Sequence, residues 1–137
     1  MTLSDLGADT PNFDPSTYLR MLVAIAKADK DNGPPEYAFV RRQALRLGLD
    51  YDHYLNTTDK DYMVERQSVS RVTAMTVLRD AISLASLDHN ISLPEKQRIY
   101  GYAEKMDVAR SDVDTLEVIV KELRQLNHRW RQLVIAR

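Results

Sequence analysis

Asp29, Glu36, Asp88 and Glu95 form two acidic pairs that could together bind a cation. Each aspartate is followed, after a short polar stretch, by a glutamate, and the two pairs stand 59 positions apart. Carboxylates brought within about 4 Å of one another repel by roughly 1–4 kcal/mol per pair, and a bound divalent cation reverses that sign. An all-oxygen donor set selects Ca²⁺, Mg²⁺ or Mn²⁺ over zinc. Asp31 and Asn90 could add oxygens, whereas His89 would add a nitrogen and admit zinc or other transition metals. A plainer reading stands beside this one. Ser92-x-x-Glu95 is also a capping box, Glu36 is an ordinary first-turn acid after Pro34, and both aspartates can end helices by bonding turn amides. Both readings stay open at this level. An EF-hand is disfavoured, because Gly33 and Glu36 follow Asp29 too closely for a twelve-residue loop.

Other reactive patterns are thin. The chain has no cysteine, which excludes disulfides, thiolate metal sites and thiol redox chemistry by this chain alone. His53 and His128 have no recognisable nucleophile or acid partner, and no Gly-rich phosphate loop, nucleophile elbow or His-Glu-x-x-His motif occurs. No catalytic residue and no organic cofactor are expected. Tyr37, Tyr51, Tyr54, Tyr62, Tyr100 and Tyr102 suit the border of a core, with hydroxyls in water. Lys121, Arg124, His128, Arg129, Arg131 and Arg137 make the C-terminal segment basic around Trp130. That pattern reads as a solvated face with Trp130 in the core, and nucleic acid is disfavoured as a partner.

The segments that carry these residues are helical. Asp14-Pro15 caps and opens a helix whose Leu19, Leu22, Val23 and Ala26 share one face, running to about Lys30. Gly33-Pro34-Pro35 separates it from a second helix with Val40, Ala44 and Leu47 inward, stopped by Gly48. Asp50 to Lys60 holds a short helix and a polar link. A long helix is predicted from about Glu65 to Leu87, another from Ser92 with Ile99, Tyr102, Ala103 and Met106 inward, and a last one from about Asp112 to Val134 behind a Ser111 cap. In the last, Leu116, Ile119, Val120, Leu123, Leu126, Trp130 and Leu133 keep helical spacing throughout. Residues 1–13 show no periodicity and read as a loose, flexible arm, leaving 14–137 as one domain.

Shifting the chain on itself by 59 positions aligns its halves without a gap. Leu19 falls on Leu78, Arg20 on Arg79, Ala26 on Ala85, Asp29 on Asp88, Pro35 on Pro94, Glu36 on Glu95 and Ala44 on Ala103. The repeat covers about 18–50 and about 77–109. Each unit is a helical hairpin with one apolar side, which two copies bury by packing face to face about a pseudo-two-fold axis. The fold class is therefore all-α: a compact bundle of about six to seven helices from two hairpins, with a long C-terminal helix.

Leu22-Val23-Ala24-Ile25-Ala26-Lys27-Ala28-Asp29 followed by Pro35-Glu36, with Leu84-Ala85-Ser86-Leu87-Asp88 followed by Ser92-Leu93-Pro94-Glu95, resembles the signature of tellurite-resistance TerB-like domains. The likeness runs from about Tyr18 to Leu126 and includes the Leu47-Gly48-Leu49 ending of the first unit. Lys30 and His89 depart from it, standing where the family usually has glycine. The resemblance implies a stress-response domain, related to part of a DnaJ-type membrane co-chaperone, with metal chelation at the acidic turns. The expected function is a non-enzymatic protein-interaction module with a divalent cation at Asp29, Glu36, Asp88 and Glu95. The alternatives are a metal-assisted hydrolase using the same carboxylates, or an interaction module with no ion.

Bulk properties agree with a cytoplasmic protein that does not insert in membranes. A length of 137 residues suits one core, and a net charge of −1 provides no global field toward nucleic acid or anionic lipid. Met1-Thr2-Leu3-Ser4-Asp5 lacks the basic start of a signal peptide, and no apolar run approaches the roughly 20 residues needed to span a bilayer.

Overall fold

A computed structural model of the chain describes residues 11–87 and 90–136. Among them are six helices and no strand: α1 (Pro15–Ala28), α2 (Pro34–Arg46), α3 (Tyr51–Thr57), α4 (Arg71–Ala85), α5 (Leu93–Lys105) and α6 (Arg110–Ile135). Asp88 and His89, and the expected arm except its last three residues, lie outside the described residues.

Local chemistry sets the boundaries. Asp14 caps α1 by accepting the Thr17 amide, and Pro15 follows in the first turn, where no N–H is required. Ser70 caps α4 through Thr73, and Ser92 caps α5 through Glu95. The C-terminal ends of α2 and α5 match closely. Leu49 N–H donates to Ala44 O and Val108 N–H to Ala103 O, both at 2.9 Å. This closure requires a left-handed residue just past the helix, and the two that supply it are Gly48 (φ 71°) and Asp107 (φ 58°), again 59 positions apart. The next helices, α3 and α6, also start 59 positions apart, at Tyr51 and Arg110. Neither residue resembles the other, which hides this correspondence from the sequence.

The core forms where α1 meets α4. Helix α1 also touches α2 and α3, and α4 also touches α5 and α6. From Tyr18 to Ala26 every residue of α1 except Arg20 is buried, the mark of a helix enclosed on nearly all sides. Leu78, Ala81, Ile82, Val40, Ile99, Val113 and Val120 complete the apolar contact. One polar group crosses it: the Tyr18 hydroxyl donates to Asp80 Oδ2 at 2.5 Å, and Arg79 Nε lies 3.1 Å from Asp80 Oδ1. All three are buried. Two helix ends are closed by cations. Lys27 Nζ donates to Thr58 O at 2.8 Å beyond α3, and Arg124 Nη2 to Ser83 O at 2.8 Å at the end of α4.

Three boundary and packing expectations are corrected. The long helix expected from Glu65 starts only at Arg71. Gln67 instead donates its amide to Lys105 O at 2.7 Å and its side-chain amide to Tyr62 O, so residues 65–70 cross the end of α5 as a strap. The last helix opens at Arg110 after Ala109 rather than behind Ser111. Trp130 is not in the core. It is 64% exposed, as are most of its neighbours, because α6 outruns the domain.

Candidate functional site

Asp29 is the residue at the end of α1, where its charge faces the negative pole of the helix. Two contacts compensate. Its Oδ1 accepts the Asp31 amide at 3.0 Å, and the Arg98 guanidinium from α5 lies 3.3 Å from its Oδ2. The turn is tied further by Asn32, whose side chain donates to Ala26 O at 2.9 Å. Glu36 turns back on its own helix start and accepts the Gly33 amide at 2.9 Å. Glu95 does the same for Ser92 at 2.8 Å, and Ser92 Oγ accepts the Glu95 amide, so the capping box is complete at α5.

Asp29 and Glu95 line one crevice between α1, α4 and α5, together with Asn32, Arg98, Ile99 and Tyr102. Its free volume is about 20 Å³, room for about one water molecule. Tyr102 beside it has its phenol pKa raised, chiefly by burial. Glu36 does not line this crevice. Asn90 lines a different one, of about 220 Å³, with Ser86, Glu117, Lys121 and Arg124 of the α4–α6 side. Asp31 is exposed and touches Asp29 only through its backbone. Among the described residues, no group of three or more His, Asp or Glu is placed to hold a metal ion. Asp88 and His89 are outside that description.

The surface of α6 was not anticipated. Its first half faces the core through Val113, Leu116 and Val120, whereas every residue from His128 to Ala136 is exposed. Ile119, Leu126, Trp130 and Leu133 form a continuous apolar stripe, exposed by 37%, 51%, 64% and 72%. With Leu116 and Leu123 they keep alternating spacings of three and four, the pattern of a helix seam that packs on another helix. At 1.5 Å per residue and about 100° per residue, the stripe lies roughly a quarter turn away from the buried face. The sequence did hold a signal. A helix of 26 residues is nearly twice as long as α1, α2, α4 or α5, so its far end extends beyond the other described helices.

Comparison with protein-family models, with curated proteins and with solved structures finds no match to this chain. No helix among the described residues is long and apolar enough to cross a membrane.

Proposed function

We propose that this chain is a non-enzymatic, TerB-like helical domain that works as a protein-interaction module, with the apolar stripe of α6 as its docking surface. The observation that carries the reading is the exposure of Leu126, Trp130 and Leu133 on a helix that extends past its own domain. Apolar surface left in a continuous strip of this kind marks a contact site more often than an incidental exposed side chain does. The non-enzymatic part rests on the sequence, in which no nucleophile with a base partner and no phosphate loop is recognisable. The TerB-like part, two copies of one unit about a pseudo-two-fold axis, is supported by the equal helix starts at 34 and 93 and at 51 and 110. The left-handed residues at 48 and 107 support it as well.

The test is a photo-crosslinking amino acid at position 126 in living cells, with position 42 on the exposed face of α2 as control. Position 126 should give discrete protein adducts that position 42 does not. Equal or absent adducts from both would end the interaction reading.

A second reading adds a divalent cation at the acidic turns, and it is favoured by the shared crevice of Asp29 and Glu95. Calorimetric titration with Ca²⁺, Mg²⁺, Mn²⁺ and Zn²⁺ separates the two readings. Heat from wild type that disappears in an Asp29→Ala/Asp88→Ala variant supports a site. Equal heats, or none, leave Asp29 to Arg98 and the glutamates to their caps.

A further inference from the structure

We infer that the partner on the α6 stripe is a second copy of this chain, packed antiparallel along α6. The inference rests on the interaction reading and names its occupant. A two-fold contact uses the same patch twice, so the patch must be complementary to itself. The stripe meets that demand. Its outer edge carries Glu122 and Arg129, opposite charges two helical turns apart. The apolar positions are arranged about nearly the same midpoint, Leu123 with Leu126 and Ile119 with Trp130.

Setting Leu123 opposite Leu126 of the second copy puts Ile119 opposite Trp130 of the second copy. In antiparallel seams the outer-edge residues of one helix meet the outer-edge residues of the other, so Glu122 meets Arg129 of the second copy, and symmetry makes that pair twice. In a parallel arrangement Glu122 would meet Asn127 and Arg129 would meet Val134, and the charges would not be matched. Nor does the whole molecule resist pairing, because a net charge of −1 provides little repulsion between copies. The stripe lies to the side of the buried face of α6, so the second helix lies alongside the domain and the α4 and α5 contacts stay in place.

Sedimentation velocity on the purified full chain, across a concentration series up to about 200 µM, tests this. A short seam of this size should dimerise with a dissociation constant on the order of 10 µM. Leu126→Glu should raise that constant more than about a hundredfold while leaving the far-ultraviolet circular dichroism unchanged. Glu122→Arg alone and Arg129→Glu alone should each weaken the dimer about tenfold, by turning both matched pairs into like-charge contacts. The double reversal should restore it to within about threefold of wild type. A wild-type chain that stays monomeric throughout overturns the inference, and so does a double reversal no better than the single ones. A monomeric chain that still gives other protein adducts from position 126 in cells overturns self-association alone. Absence of any adduct ends the interaction reading itself.

Discussion

Helices α3 and α6 begin 59 positions apart, the offset that also separates Gly48 from Asp107, and then diverge. The first ends after seven residues, with Leu55 and Thr58 carbonyls bonded by Lys27, and its half remains a closed unit. The second continues to Ile135 and exposes an apolar stripe that nothing in the described chain covers. The contact at the first acidic turn is one-sided as well: Arg98 pairs with Asp29, and the position 59 before Arg98 is Phe39. Where the halves agree, the residues cap and pack. Where they differ, α6 carries apolar surface that the described chain leaves exposed, and function is sought there.

The largest expected effect tests the packing that the halves share. Asp80 stands where the first half has Met21, and it binds Tyr18 across the α1–α4 contact. Asp80→Ala removes the acceptor for a buried hydroxyl and one charged contact of Arg79. It should destabilise the fold by about 2–3 kcal/mol in urea melts, the cost of leaving a buried donor without its charged acceptor. A loss below about 1 kcal/mol would mean that this contact does not hold the halves together.

The same group gives a pH dependence of intermediate size. Burial, and then the Asp80 carboxylate, push the Tyr18 phenol well above its ordinary 10.0. Above pH 10 the unfolded chain releases this proton while the folded chain keeps it, so stability falls as pH rises. Tyr18→Phe should remove up to one proton from that slope, about 1.4 kcal/mol per pH unit. An unchanged slope would show that Tyr18 does not titrate differently on folding.

Smaller still is the exchange at the left-handed position past α2 and α5. Gly48→Ala should cost about 1 kcal/mol, because a Cβ is strained at φ 71°. Asp107→Gly should gain somewhat less than about 1 kcal/mol, since the exposed Arg66 pair that it gives up contributes little. Thermal melts of both variants check this. Opposite signs sharpen the equivalence of the two turns, and equal signs break it.

Much of the scaffold was legible because its signals are local. Gly33-Pro34-Pro35 and Ser92-Leu93-Pro94 marked the starts of α2 and α5, and the apolar spacing marked their inner faces. Glu65 to Ser70 departs from the helix expected there because the Gln67 amide donates to Lys105 O, a residue that no local window around Gln67 contains. Periodicity in α6 marks an apolar face but not whether the chain itself covers it, which is why the spacing alone points Trp130 inward while the structure exposes it. The acidic residues are visible in the sequence, whereas the partner of Asp29 is not. Arg98 is 69 residues from Asp29, and no spacing rule connects them.

Trp130 is the sole tryptophan of the chain, and it lies on the stripe, so its own fluorescence reports the central claim without labels. Emission spectra should be recorded on the full chain from about 200 µM down to well below the dissociation constant on the order of 10 µM expected for the seam. If α6 pairs with a second copy, the emission maximum moves to longer wavelength on dilution as the indole enters water, with a midpoint matching sedimentation. A maximum fixed at the water-exposed position over the whole range would contradict it.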